Sequence, residues 1–344
     1  IYNYGRYILI SSSRPGNLPV TLQGIWNNKV HAPWASDYHN NINLQMCYWG
    51  AEVANLAECH QPLIDFIRSM EAPLGESTRQ HFGQHVRGWT TRISQNPWGG
   101  GGWIKWNPPV NAWYALQIWD RYLYSQDKEY LRTVAYPLLR NICHFWEDEL
   151  KEIGAHGKGL KTRKNEKSPV QDLTVAEHPE LGEIKEGSLV CPMGWSHEWG
   201  PLEDGCAHDQ QLIWELFDNT AKAAKVLGVD IDPKAEDIAR ENAAYNGFAA
   251  PEFSACTGDV TADKRLMGRL QTREYDMVLV NIVADVIIGL SPVLPNFLTE
   301  KSLLICSGIL DSRLEDVLAA LTAAGLTVTS VREKEDWRCV TARK

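Results

Sequence analysis

The stretch Ala221-Lys-Ala-Ala-Lys-Val-Leu-Gly-Val-Asp230 decides how this chain folds, because two hydrophobic patterns meet in it. Its first half continues an alanine-rich helix, whereas Val226–Asp230 is typical of a buried β-strand with an acidic end. Helices and aromatic loops precede this stretch, and short Val, Ile and Leu runs alternating with Ala-rich helices follow it. We therefore expect two domains of different class, residues 1–227 and residues 228–344.

Aromatic and histidine content changes at the same place. Thirteen of the 14 tryptophans lie between Trp26 and Trp214, and all 10 histidines lie at or before His208. This uneven distribution is typical of two unrelated pieces of protein, so each piece needs its own functional interpretation.

Charge and hydropathy argue against two classes of partner, although the net charge leaves room for a small basic patch. The net charge of −9 argues against a nucleic-acid binder, which usually presents a basic face. No apolar run approaches the ~20 residues of a membrane helix, so no membrane partner is expected. The sequence starts at Ile1 without a signal peptide, which predicts a cytoplasmic location unless an upstream segment carries an export signal.

The first piece is predicted to be all-α. Helical spacing of apolar residues continues through most of it, Pro62 is expected to break one long helix, and Ser125 or Asp127 is expected to cap another. The predicted helices are Ile1–Ser12, Asn43–Met70, Leu74–Gln84, Ala112–Tyr124, Lys128–Ile153 and His208–Leu227.

Long loops rich in Trp, Gly, Pro and Asn connect these helices, at Gln23–Asn41, Gly88–Pro109 and Cys191–Ala207. Loops of this length usually build a site. Sugar rings stack on tryptophan and their hydroxyls bind Asn, His, Asp and Glu, so the loops indicate a helical toroid with a carbohydrate-binding mouth. The alternative is that most of the tryptophans belong to the core.

Two strings carry the candidate chemistry of this piece. Asp37–Trp49 contains Asn41 and Asn43, whose side chains point the same way in an extended segment and could hold one water. Cys191–Gly205 contains Glu198 between two tryptophans, and an apolar wall raises a carboxyl pKa toward that of a general acid. Alternatively, the asparagines cap a helix and Glu198 is a surface residue.

Residues 1 to about 228 resemble the catalytic domain of glycoside hydrolase family 95, the 1,2-alpha-L-fucosidases. The resemblance runs in order through several motifs. They are Tyr4–Gly16, Leu22–Asn27, Asn41–Met46, Tyr48-Trp49, Ala51–Val53, Gly88-Trp89, Trp113, Ala135–Leu139 and the helix at Asp209. It implies an (α/α)6 barrel, of which about six of twelve helices are matched, and a fucosylated glycan as substrate.

The same resemblance assigns roles to individual residues. It implies Glu198 as general acid, Asn41 and Asn43 as the pair that polarises the attacking water, His39 as a sugar contact and Trp106 as a stacking aromatic. The acid motif departs from the family pattern, because Ser-His-Glu stands where Ser-Pro-Glu is usual.

An inverting mechanism also needs a second carboxylate about 6.5–9.5 Å from the acid. The family's base lies beyond the matched helices, and Glu203, Asp204 and Asp209 are not at its position. We expect little or no fucosidase activity.

The second piece alternates strands and helices, which predicts one parallel, doubly wound sheet closed by an antiparallel hairpin. The predicted strands are Val226–Ile231, Glu252–Thr257, Asp276–Ile282, Ser302–Ser307, Thr327–Val331 and Arg338–Ala342. The predicted helices are Pro233–Asn246, Lys264–Leu270, Val283–Thr299 and Arg313–Ala324.

Three polar residues follow successive strands of this piece. Asp230 could accept the hydroxyls of a ribose, Asp259 could meet an adenine amino group, and Asn281 could accept from an amine. Asp232 nearby is expected to cap a helix that starts at Pro233.

With Ala239–Gly247 and Ser307–Leu310, these signals resemble PrmA, the class I methyltransferase family of ribosomal protein L-eleven. The resemblance implies a Rossmann-like fold, S-adenosyl-L-methionine as cofactor and ribosomal protein L-eleven as partner. The family's first strand and glycine-rich loop should precede Val226, where helical sequence stands instead. We therefore expect impaired cofactor binding.

Several interpretations remain open at this point. The chain is interpreted as two partial enzyme regions joined in a chimera, both with incomplete sites and both inactive. The alternatives are a genuine bifunctional fusion, a methyltransferase of ribosomal protein L-eleven with an unrelated N-terminal extension, and a non-catalytic glycan-binding protein.

Overall fold

The chain forms two compact units, Ile1–Ala224 and Lys225–Lys344. A computed structural model describes residues 1–100, 105–154, 160–163, 171–173, 185–195, 201–245, 248, 253–273 and 275–344. The division falls just before the strand that starts at Val226, so residues 225–227 lie with the second unit rather than the first.

Helices dominate the first unit. They are α1 (Tyr2–Ser12), α2 (Asn43–Val53), α3 (Ala57–Phe82), α4 (Val110–Ser125), α5 (Lys128–Tyr130), α6 (Tyr136–Glu149) and α7 (Ala207–Ala223). Helix α7 ends at Ala223 rather than at Leu227, because Leu227 belongs to the next strand.

The expected helix break at Pro62 is wrong. Helix α3 continues through Pro62 and Pro73, and the break lies at Ala54–Leu56, where Asn55 has a φ of 53°. Asparagine tolerates this left-handed conformation well, so the chain turns there at low cost. A proline inside a helix costs ~3 kcal/mol, and α3 offsets that cost by burying one face from Cys59 to Thr78.

Asp127 caps the helix that follows α4, since its carboxylate accepts from the N–H groups of Glu129 and Tyr130. This helix contains a π-helical turn at Leu131–Ala135 before it continues as α6. Pro137 has no N–H to donate, which favours such a widened turn. The helix ends at Glu149, not Ile153, and gives way to a strand.

The unit is mainly helical, as expected, but short strands that the sequence pattern did not indicate lie between the helices. They are β1 (Tyr38–His39), β2 (Ser94–Gln95), β3 (Lys151–Glu152), β4 (Leu160–Arg163), β5 (Gln171–Leu173), β6 (Leu189–Val190), β7 (Gly194–Trp195) and β8 (Leu202–Glu203). Glycines and prolines such as Gly154, Gly187 and Pro192 stop helix growth here, so backbone groups pair across strands instead.

Tryptophans contribute to both the core and the surface of this unit. Trp89, Trp119 and Trp146 are buried and pack with Tyr48, Tyr114 and Phe145 in one apolar cluster. Among the described tryptophans of this unit, the exposed ones are Trp26, Trp34, Trp49, Trp98 and Trp214. The core interpretation therefore holds for only some of the tryptophans.

The second unit contains β9 (Val226–Asp230), α8 (Pro233–Tyr245), β10 (Phe253–Thr257), α9 (Lys264–Leu270), β11 (Tyr275–Asn281), α10 (Ala284–Leu290), β12 (Leu298–Leu310), α11 (Leu314–Ala323), β13 (Thr327–Lys334) and β14 (Trp337–Arg343). The expected long helix Val283–Thr299 is wrong, because it stops at Leu290, before Pro292 and Pro295.

These strands form two hydrogen-bonded sheets rather than one. Strands β9 and β10 pair in parallel, and a second sheet has the order β11-β12-β14-β13. Its β11–β12 pair is parallel and the β13–β14 hairpin is antiparallel, as expected. Within the described residues, β9 and β11 each pair on one side only.

Both sheets nevertheless share one apolar core. Ile287, Leu304, Cys306, Val317 and Leu321 are its buried centre. Leu227, Val229 and Cys256 of the two-stranded sheet pack against the same cluster. The second unit is therefore one body whose sheet is divided.

Candidate functional sites

The asparagine string of the first unit is anchored by a small antiparallel pairing. Tyr38 and His39 in β1 pair with Gln95 and Ser94 in β2. Residues 40–42 form a turn, and Asn43 is the first residue of α2. The expectation of an extended segment that aligns Asn41 with Asn43 is therefore wrong, because a helix starts between them.

Asn40, which the sequence did not single out, holds this turn in place. Its amide donates to Arg92 O at 3.0 Å and to Gln95 Oε1 at 3.2 Å, and its oxygen accepts from Tyr114 OH. Burial raises the pKa of Tyr114 well above its ordinary value, so that phenol stays a donor. Three asparagines within four residues look alike in a sequence, and only the packing separates their roles.

His39 and Asn43 line the same narrow cleft. His39 is buried and its Nδ1 lies 3.2 Å from Asp37 Oδ1, which orients the imidazole. The empty space of the cleft, including its opening to solvent, is about 140 Å³. Asn41, also buried, lies in the adjoining turn. His39, the predicted sugar contact, thus lies close to Asn41 and Asn43, the predicted water-polarising pair, and the roles of all three stay predictions.

Glu198, the candidate general acid, lies outside the described residues. The segment just before it is held by two buried carboxylates. Asp204 accepts from the N–H of Met193 at 2.8 Å, and Asp209 accepts from the N–H of Trp195 at 3.0 Å.

Both carboxylates have further partners. Asp204 Oδ2 also forms an ion pair with Lys151 Nζ at 2.9 Å, and Asp209 Oδ1 lies 2.8 Å from His208 Nδ1. Each is 1% exposed. Their hydrogen bonds therefore hold the backbone at Met193 and Trp195, shortly before Glu198 in the sequence. The spacing of residues in the sequence does not predict this role.

Trp106 is engaged with protein groups. His81 stacks on its ring at 4.7 Å with an interplanar angle of 14°, and the Arg92 guanidinium lies 4.9 Å from the ring centroid. Burial, with a further contribution from Arg92, lowers the pKa of His81, which keeps this imidazole neutral. The sugar-stacking role of Trp106 stays a prediction.

Asp230 and Asp259 come together in the second unit at the carboxyl ends of β9 and β10. Asp230 is in register with Thr257, and its carbonyl accepts from the N–H of Gly258 at 2.8 Å. Asp230 Oδ1 accepts from the N–H of Asp232 at 2.8 Å. Hydrogen bonds from the hydroxyl and N–H of Thr261 lower the pKa of Asp259. Both carboxylates are exposed.

Asn281 ends β11, in the other sheet. Its Oδ1 accepts from Ser307 Oγ at 3.1 Å, which turns the amide oxygen toward the hydroxyl. Gly308 has a φ of 81°, and a Cβ there would lie 2.9 Å from Ile282 O, so only glycine fits this close approach. A cavity of about 570 Å³ opens beside Asn281, Ser307 and Gly308.

The two units correspond to two classes of protein: the first is a helical glycoside hydrolase region and the second is an α/β methyltransferase-like region. The chain belongs to glycosyl hydrolase family 95, whose catalytic domain matches residues 1–249. The family of ribosomal protein L11 methyltransferases (PrmA) matches residues 219–344. The two matches overlap across the stretch that joins α7 to β9.

Individual relatives give the same division. A probable alpha-fucosidase A of Aspergillus niger is 35% identical over 240 residues, 67% of this chain and 27% of that protein. Alpha-L-fucosidase 2 of Arabidopsis thaliana is 38% identical over 66% of this chain and 25% of its own length. A ribosomal protein L11 methyltransferase of Agathobacter rectalis is 35% identical over 36% of this chain and 38% of its own length.

The chain thus spans about a quarter of the fucosidases and well under half of the methyltransferase that it matches. The two-family layout predicted from the motifs is confirmed, as is a methyltransferase-like C-terminal part. The (α/α)6 barrel and the roles of the individual site residues stay predictions. In the described part of the chain, no helix is both long and apolar enough to cross a bilayer.

Proposed function

We propose that this chain carries incomplete sites of two enzyme classes and completes the reaction of neither. The helical unit keeps residues for contact with a fucosylated glycan, and the α/β unit keeps residues for the adenosine end of S-adenosyl-L-methionine. The observation that carries the proposal is the junction, where only Ala224 and Lys225 separate helix α7 from strand β9.

The junction bears directly on the cofactor. Asp230 and Asp259 stand side by side and fit a ribose diol and an adenine amino group, which are hydrogen-bond donors. The methionine end needs a strand followed by a glycine-rich loop that lets backbone N–H groups approach the ligand. The segment before β9 is instead α7, which contains no glycine. The residues present therefore fit one end of the cofactor and not the other.

The division of the sheet weakens the site further. Asp230 and Asp259 belong to the two-stranded sheet, whereas Asn281 belongs to the four-stranded one. Methyl transfer requires the donor and the acceptor nitrogen in near-attack geometry, about 3–3.5 Å apart. The two sheets share an apolar core but, within the described residues, no hydrogen-bonded strand pair, so only side-chain packing holds Asn281 relative to Asp230 and Asp259. We infer that the chain does not methylate ribosomal protein L11.

The hydrolase side of the proposal concerns the second carboxylate. Water attack on the fucoside needs a general base across from Glu198. Of the described carboxylates that follow Glu198 most closely, Glu203 is partly exposed at the end of β8, whereas the carboxylates of Asp204 and Asp209 are buried and bonded to backbone donors. The resemblance puts the base beyond the matched helices, where the methyltransferase-like unit stands.

Two assays test these statements separately. Incubation with 2′-fucosyllactose should release no fucose above that of a Glu198→Gln control, and release that depends on Glu198 would overturn the hydrolase half. Incubation with methyl-labelled S-adenosyl-L-methionine and ribosomal protein L11 should transfer no label above that of an Asp230→Asn control. Label transfer that depends on Asp230 would overturn the methyltransferase half.

A further inference from the structure

The β13–β14 hairpin presents an unusual face to the cavity beside Asn281. Arg332 pairs across the strands with Cys339, and Lys334 pairs with Trp337, so all four share one face of the hairpin. The cavity is lined by these residues together with Asn281, Ser307, Gly308, Glu333 and Arg338. Trp337 is 51% exposed there, a large apolar group left in water.

The three cations that line the cavity differ in their ion-pair partners. Arg338 on the opposite face lies 2.7 Å from Asp311 Oδ1 and 3.6 Å from Glu333 Oε2. Arg332 and Lys334 make no ion pair with any residue that the structure describes. Arg332 and Lys334 therefore line the cavity without an ion-pair partner among the described residues, on either side of Glu333, whose carboxylate lies 3.6 Å from Arg338. The cavity lining is positive on balance, although the chain as a whole carries a net charge of −9.

The backbone of β13 is available as well. The sheet order β11-β12-β14-β13 makes β13 an edge strand, and Ser330–Lys334 is exposed throughout. An exposed edge offers N–H and C=O groups to another extended chain. Arg332 and Lys334 are two residues apart, about 6.7 Å along a strand, which matches alternate side chains of a paired extended peptide.

We propose that this hairpin face binds an extended acidic peptide of a protein partner. The peptide adds as a strand along β13, alternate carboxylates meet Arg332 and Lys334, and an apolar residue covers Trp337. Bidentate pairing favours a carboxylate at Arg332. The inference goes beyond the proposed function, because such docking needs no cofactor and no methyl transfer.

The peptide is favoured over a nucleic acid by this geometry. Phosphates would satisfy the two cations and a base could stack on Trp337, but the free strand edge has a specific use only for a polypeptide backbone. A short single-stranded RNA is therefore the competing ligand in the test.

The test uses the full chain and fluorescence anisotropy of a labelled peptide of about eight residues with glutamate at alternate positions. Its controls are the same peptide with glutamine at those positions and a labelled oligouridylate of similar length. The glutamate peptide should bind at least about tenfold more tightly than either control, and binding should weaken with added salt.

A matched pair of variants localises the binding. Arg332→Gln with Lys334→Gln should weaken the glutamate peptide by at least about tenfold. Lys264→Gln with Arg265→Gln changes the net charge equally on α9, outside the cavity, and should leave binding unchanged. All four side chains are exposed, so circular dichroism should show both variants folded.

Trp337→Ala removes the apolar contact but leaves both cations in place. It should weaken binding of the glutamate peptide without changing how strongly that binding depends on salt. Equal affinity for the glutamine peptide, equal loss in the two double variants, or tighter binding of the oligouridylate through Arg332 and Lys334 would each overturn the proposal.

Discussion

Gly88 links a loop of the first unit to the backbone of α6, and replacing it tests the packing of that unit. Its φ is 63°, and a Cβ at this position would lie 2.2 Å from Asn141 O and 2.8 Å from Phe145 N. Both atoms belong to the backbone of a buried helix, so neither can swing aside. Gly88→Ala must therefore move the loop or the helix.

The cost has two parts. An L-residue in the left-handed region costs roughly 1–2 kcal/mol, and forcing extra volume into a packed interior costs typically about 1–3 kcal/mol. Together, Gly88→Ala should lower the free energy of unfolding by about 2–5 kcal/mol. Gly16 provides a matched control, because its φ is 87° but nothing lies within 4 Å of its Cβ position. Gly16→Ala should show only the conformational part.

Urea unfolding followed by tryptophan fluorescence measures this difference. Thirteen of the 14 tryptophans lie in the first unit, so the signal reports on that unit rather than on the whole chain. The reasoning is refuted if the free energies of unfolding of Gly88→Ala and Gly16→Ala differ by less than about 0.5 kcal/mol.

Two further predictions concern buried carboxylates. Burial raises the pKa of Glu52, but hydrogen bonds from His60 and Arg121 outweigh it and hold that pKa below 4.5. The pKa of Glu52 is lower in the folded state, so its contribution to stability is complete above about pH 4.5 and is lost as the pH falls further. In Glu52→Gln, the free energy of unfolding should therefore decrease less steeply with falling pH below about pH 4.5 than in the unchanged protein. An equally steep decrease would contradict the role given to Glu52. Asp209→Ala leaves buried donors without a partner and should destabilise the first unit by about 1–3 kcal/mol in the same urea assay. Asp218→Ala on the same helix removes only a surface ion pair and should cost about 0.5 kcal/mol, so equal effects would show that Asp209 holds nothing in place.

Periodicity predicted most elements of the second unit because its helices and strands are short and separated by clear turn signals. Lys264–Leu270 begins and ends where the pattern indicated, with Asp263 as its cap. Pairing between strands was not predictable in the same way. The pattern indicated six strands, but only the fold shows that, among the residues described, β9 and β11 each have one neighbour and the sheet is divided.

The first unit shows the limits of local signals more clearly. Pro62 is a strong helix breaker in isolation, yet the burial of α3 overrides it and the turn falls at Asn55. The role of Asn40 depends on Tyr114 and Gln95, which are 74 and 55 residues away in the chain. Contacts at such separation leave no trace in the spacing of residues.

A pair of calorimetric titrations tests the central claim most directly. The full chain is titrated with S-adenosyl-L-methionine and, separately, with adenosine. If only Asp230 and Asp259 contact the ligand, the two affinities should agree within about tenfold and both should fall in Asp230→Asn. Micromolar binding of S-adenosyl-L-methionine, with adenosine weaker by a factor of about a hundred or more, would contradict the account, since it would require a methionine site that α7 and β9 do not provide.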